Sequence, residues 1–340
     1  MLERLAAWLA DPVRTHRVSE PEAGPYALAE GPDGALWHTL VHENAIARRD
    51  RSGRVTRQPV GARPTLIAPG PDGALWFTEY GAHRVGRIVP PGAAVGTGGG
   101  AAGELPHAAG GGTAGGRGTG AGDAADGVQD GPLGRYESVA LPTAEGGPFG
   151  IAAGPDGAMW CTLSAADRIA RIAPDGRVTE YPAPGSFPSS LVTGADGALW
   201  CTLNQSHAIG RIDVEGHGTA YPLPTADAAP VGIAAGPDGA LWFTEIGAGQ
   251  IGRITVDGTI TEFPLPDRAA RPHAIAPGPD GALWFTEWGT GRIGRITTTG
   301  DLTHYDLPDA SSEPHGIAAY DGAVWCALEV GALARVAVPE

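Results

Sequence analysis

The sequence predicts an all-β fold, a seven-bladed β-propeller with four-stranded blades whose ring is closed by an N-terminal strand pairing into blade seven. Three observations carry that expectation. A unit resembling GPDGALWFTE recurs, with starts near Pro25, Pro64, Pro148, Pro188, Pro230, Pro272 and Pro314. The last four starts are 42 residues apart, a period that belongs to propeller blades. Each unit splits into four short apolar segments, a pattern that buries its faces only by stacking round a ring.

The sixth unit shows the elements in order. HAIAPG is the innermost strand, and the Asp280–Gly281 pair that follows is a strong hairpin signal. ALWFTEW, RIGRIT and LTHYDLP make the second, third and fourth strands. The recurring Trp37, Trp76, Trp160, Trp200, Trp242, Trp284 and Trp325 are expected to pack between blades. Cys161, Cys201 and Cys326 each follow one of these tryptophans, where other units carry Phe77, Phe243 or Phe285. They read as core filler, and no CxxC spacing suggests zinc or a disulfide framework.

The last unit runs out at Glu340 without a fourth strand. THRVSEPEA near the start resembles VTEYPAP elsewhere, so Thr15 to Pro21 should supply it. Closing the ring removes the free edge that would invite aggregation. The expected organisation is an N-terminal extension over residues 1–12 and a single propeller domain over 13–340. Residues 90–133 are Gly- and Ala-rich and lack the DGALW core, so they read as a disordered insertion between strands three and four of blade two.

Composition narrows the function. A formal net charge of −15 repels phosphate backbones, so no nucleic acid partner is expected. MLERLAAWLADPVR makes a poor signal peptide, and no apolar run reaches membrane-spanning length. No membrane association, a cytoplasmic location and a monomer are expected.

Function in a repeat protein lies in departures from its own consensus. The residue after each leading proline starts the innermost strand, at the mouth of the central channel. Round the ring it is Tyr26, Thr65, Phe149, Ser189, Val231, His273 and His315. Tyr26, His273 and His315 fall on blades one, six and seven, which ring closure makes neighbours. Blade seven departs further in SSEPHGIAAYDGAVWCALEV. Glu313 and His315 are two apart, on one side of an extended strand. Folding at Asp321–Gly322 sets His315 opposite Glu329. Glu79, Glu245 and Glu287 lie three residues after their tryptophans, whereas Glu329 lies four after Trp325. Those three habitual glutamates read as structural. His83, His107, His207 and His304 lack carboxylate neighbours of this kind and read as surface residues. Two carboxylates suit Mg2+ with retained waters, and an imidazole beside them can take a proton near neutral pH. The spacing alone is equally compatible with a solvated, salt-bridged trio.

At these residues the chain resembles the virginiamycin B lyase family, in GPYALAEG at Tyr26, RPHAIAPG at His273, WFTEWGTGRIGRI at Trp284, EPHGI at Glu313 and WCALEV at Trp325. The resemblance spans nearly the whole chain apart from the N-terminal dozen residues and the insertion. It implies a carbon–oxygen lyase that opens type B streptogramins, small cyclic depsipeptide antibiotics, by elimination at a threonine ester. It implies His315 as general base, Glu313 and Glu329 as ligands to Mg2+, and Tyr26 and His273 as substrate contacts. Two alternatives stay open: a propeller lactonase or other hydrolase, and a non-catalytic binding propeller.

Overall fold

The structure, a computed structural model, describes residues 12–91 and 128–338. Antiparallel sheets form the seven blades of a β-propeller, and the innermost strand of each blade packs against those of its two neighbours. Blade one shows the pattern, with strands Pro25–Glu30, Leu36–Leu40, Ala45–Arg49 and Val55–Pro59 from the axis outward. Blade seven takes Pro314–Tyr320, Ala323–Leu328 and Ala332–Ala337 from the C-terminal end, and its outer strand is Val13–Arg17. That closing strand starts and ends earlier than Thr15–Pro21. It pairs Val13 with Val336 and Arg17 with Ala332, and then Pro21–Ala23 forms a short 3-10 turn. The two prolines of SEPEAGP confine the ladder to residues before them, because proline donates no backbone hydrogen bond.

The tryptophans lie between blades as expected. Trp160 packs with Leu191 and Cys201 of the next blade, and Trp284 with Ile317 and Cys326. The three cysteines are buried and free, and burial pushes the Cys161 and Cys201 thiols up to about 12. The DG turn does more than reverse the chain. Asp280 accepts Trp284 Nε1 on one oxygen at 3.0 Å and Arg295 Nε on the other at 2.6 Å. Hydrogen bonds to a charged partner typically contribute about 1.5–3 kcal/mol, so the turn anchors the second and third strands.

A threonine in the second strand links each of six blades to its successor. Thr39 Oγ1 donates to the Thr65 carbonyl at 2.9 Å while accepting from the Ala27 amide at 3.0 Å. Equivalent bonds run from Thr78, Thr162, Thr202, Thr244 and Thr286 to the carbonyls of Phe149, Ser189, Val231, His273 and His315. Ala327 stands at this position in blade seven. There the seam to blade one is tight: a Cβ on Gly316 would lie 2.5 Å from the Tyr26 carbonyl oxygen.

Most of the expected insertion lies outside the described residues. Its tail does not behave as an unstructured segment: Gln129–Gly131 pairs with Gly134–Ala140 as a fifth strand of blade two. Leu133 is buried, and its amide donates to Gln58 Oε1 at 2.9 Å.

Candidate functional site

The residue before each leading proline has a left-handed backbone: Gly24, Arg63, Gly147, Phe187, Ala229, Arg271 and Glu313, with φ between 45° and 62°. This conformation turns the chain onto the channel mouth, and a bulge follows in the pairing of the innermost strand, between Pro314 and Ile317 in blade seven. Glu313 is thus not in the strand, and the two-residue strand rule does not govern it. Nor are His315 and Glu329 ladder partners. The pairing runs Pro314 with Leu328, leaving Glu329 one residue beyond the strand end. The Glu329 amide donates to the Ser312 carbonyl at 3.1 Å, which ties the two loops together.

These loops bring the expected trio together by another route. One ligand atom from each of Glu313, His315 and Glu329 lies within 4.8 Å of the others. His315 Nε2 is 2.5 Å from Glu329 Oε2, whereas His315 Nδ1 is buried without a partner. Glu313 is exposed and His315 nearly buried, so the cluster opens to the channel mouth from one side. Two carboxylates this close repel unless a cation lies between them. Hard oxygen donors with an open side suit a divalent ion that keeps some of its waters.

Tyr26 and His273 flank the cluster. The ring centroids of Tyr26 and His315 are 4.7 Å apart, those of His273 and His315 5.2 Å, and those of Tyr26 and His273 5.9 Å. Tyr26 Oη and His273 Nε2 stand 3.5 Å apart, at the outer limit of a hydrogen bond. Phe149 meets Tyr26 edge to face at 6.4 Å. Burial, with the nearby Glu329 charge, holds the Tyr26 hydroxyl well above its ordinary value. Burial beside His315 pushes His273 down to about 3, so its ring is neutral at neutral pH. For Glu329, burial acts upward, but hydrogen bonds from His315 and His42 prevail and the carboxyl is lowered. The mouth is therefore an aromatic, largely neutral surface with one anionic corner.

His42 was not singled out by the sequence. It follows the second strand of blade one, and its Nε2 lies 3.2 Å from Glu329 Oε1, across the seam that closes the ring. Gly24 makes room for it, since a Cβ there would come within 2.4 Å of His42 Cδ2. No local motif marks His42; only ring closure makes it a neighbour of blade seven.

The habitual glutamates are structural, as expected, and buried. Glu79 is buried and accepts from Tyr136 Oη at 2.5 Å, Ser138 Oγ at 3.1 Å and the Gly61 amide at 3.1 Å. Glu287 sits 2.5 Å from His304 Nδ1, so His304 has a carboxylate partner that its sequence neighbours did not reveal. His207 faces Asp227 at 3.7 Å, and His107 lies outside the described residues.

The sequence profile of the virginiamycin B lyase family matches residues 11–114 and 130–336. A virginiamycin B lyase of Streptomyces coelicolor is 69% identical over 83 residues, which are 24% of this chain and 28% of that protein. That alignment spans less than a third of the relative's length. A solved structure of streptogramin B lyase superposes with a TM-score of 0.80 at 35% identity, covering 96% of this chain and 97% of that one. A catalytically inactive variant of virginiamycin B lyase from Staphylococcus aureus, solved with quinupristin, gives a TM-score of 0.80 at 34% identity, covering 96% and 99%.

Proposed function

The chain belongs to the virginiamycin B lyase family, and on that premise we propose that it linearises type B streptogramins by β-elimination at the threonine ester. The observation that carries this reading is the convergence of Glu313, His315 and Glu329 beside the aromatic mouth. The quinupristin held by the Staphylococcus aureus variant supports an antibiotic of this class as the substrate.

In this reading the depsipeptide lies over Tyr26, Phe149 and His273. His315 Nε2 removes the threonine α-proton, which requires the ring proton to reside on the buried Nδ1 and the Nε2–Glu329 hydrogen bond to be given up when substrate binds. The electron pair left at Cα forms the Cα–Cβ double bond. The Cβ–O bond breaks, and the ester leaves as a carboxylate. A linear peptide with a dehydrobutyrine unit results, and no water is consumed. Tyr26 keeps its proton and donates a hydrogen bond to the substrate, while the neutral His273 positions it. Glu313 and Glu329 would hold Mg2+, which supplies Lewis-acid stabilisation of negative charge on the carbonyl oxygen next to the α-carbon. A general base of this kind contributes roughly 10²–10⁴-fold. Opening the ring inactivates the antibiotic, so resistance is the proposed role.

The test is mass spectrometry of a streptogramin B incubated with the protein and Mg2+. Elimination yields a chromatographically distinct product of unchanged mass, with fragments showing an unsaturated residue. A product heavier by one water would assign hydrolysis and return the lactonase alternative. No product with either signature would favour a binding propeller.

A further inference from the structure

Six blades share one device. The inter-blade tryptophan Nε1 donates to an aspartate at 2.9–3.1 Å. An arginine Nε donates to the other oxygen of the same carboxylate at 2.5–2.7 Å. Blade seven keeps the tryptophan and the arginine, as Trp325 and its cross-strand partner Arg335, but not the carboxylate contact. Its hairpin is one residue shorter, so Asp321 and Gly322 form a two-residue turn with φ of 49° and 68°, and Asp321 is exposed. Trp325 is 3% exposed and its Nε1 has no partner.

Positive charge accumulates where the carboxylate is missing. Opposite the triad arginine, five blades place a threonine and blade two places Glu137. Blade seven places Arg14 opposite Arg335, and like charges directly across a ladder are destabilising. Arg49 of blade one lies with its Cζ 4.8 Å from the Trp325 ring centroid. His16 packs against the same ring at a tilt, with the centroids 5.2 Å apart. None of Arg14, Arg49 and Arg335 forms an ion pair among the described residues, in a chain of net charge −15.

We infer that this seam between blades seven and one binds a small oxyanion of the carboxylate class, which neutralises Arg14, Arg49 and Arg335 where the other blades use an aspartate. Burial together with Arg49, Arg335 and Arg14 also holds His16 below its ordinary value, in keeping with an uncompensated positive field. Tyr320 packs edge-on to Trp325 and bonds the Gly34 carbonyl at 3.2 Å, closing the hairpin side. The anion therefore enters from the outer strand, where Arg14 is exposed.

The probe is sodium acetate, compared with sodium chloride at equal ionic strength. The readout is the Trp325 indole N–H resonance, identified by its loss in Trp325→Phe. Acetate should shift this signal along a saturable curve and chloride should not. Arg335→Gln and Arg14→Thr should each raise the apparent dissociation constant at least about tenfold. Arg14→Thr installs the residue type that five other blades carry, so it should also raise Tm in acetate-free buffer, which keeps the test independent of folding failures. An equal response to chloride, no saturation, or an unchanged acetate response in both variants overturns the inference.

Discussion

Thr286 Oγ1 donates to the main-chain carbonyl of His315 at 2.8 Å, so blade six holds the proposed base of blade seven by its backbone. Thr286 also accepts from the Ala274 amide at 2.9 Å, and it is fully buried. Thr286→Ala should lower stability by about 1 kcal/mol, the usual value of a lost hydrogen bond, and reduce kcat about tenfold. Thr286→Ser should restore both. Thr202→Ala, which frees the Val231 carbonyl and the Ser190 amide and touches neither His315 nor its strand, should cost similar stability and leave kcat unchanged. Steady-state kinetics with thermal melts separate these outcomes.

Replacing His315 by alanine should reduce ring opening by about 10³-fold, within the range for a lost general base. The far-ultraviolet circular dichroism should be unaltered. Ring opening that survives the substitution assigns the proton transfer elsewhere.

His42 should matter through metal affinity. Ligands supported by an outer hydrogen bond typically lose about 10–100-fold in affinity without it. His42→Ala should therefore raise the Mg2+ concentration for half-maximal activity about tenfold, with kcat at saturating metal little changed. EDTA should stop turnover in the unmodified protein and Mg2+ should restore it. A chelator without effect removes the metal from the proposal.

Acid should destabilise the fold in two stages. Burial, with Arg57 and Arg49 nearby, pushes His38 down to about 3 from an ordinary 6.5. The unfolded chain takes up that proton first, so stability falls as pH drops from about 6.5 towards 3. Asp33, Asp156, Asp196, Asp238 and Asp280 are held below their ordinary value: burial opposes this, but their tryptophan and arginine partners prevail. Their contribution is present above about pH 3.8 and is lost as pH falls through the lowered values. His38 is fully buried with neither ring nitrogen bonded, and it occupies the position of Phe77, Phe243 and Phe285. His38→Phe should add about 1–3 kcal/mol, the cost of an unsatisfied buried polar group. It should also flatten the upper stage of a Tm-versus-pH curve.

The blade count, the inter-blade tryptophans and the cysteine positions were legible because each follows from a period repeated along the chain. The Glu313–His315–Glu329 cluster was legible too, although its basis differed. Strand alternation and hairpin pairing named the right residues, whereas a left-handed Glu313 and a bulge after Pro314 bring them together. His42 was not legible, since it meets Glu329 only through closure of the ring. The partner of His304 was missed for a related reason. Glu287 lies two strands away on the same blade and turns inward instead of towards solvent.

The threonine series has a first and a last member. Six mouth carbonyls are each tethered from the preceding blade, and Ala327 leaves the Tyr26 carbonyl without such a tether. A ring that looks cyclic is therefore mechanically directional, with support handed from blade one round to blade seven. Damage at one threonine should be felt in its own innermost strand and at the next blade's opening residue, and not in the preceding blade. Tyr26, at the head of this relay, depends instead on the close approach of its carbonyl to Gly316 of blade seven.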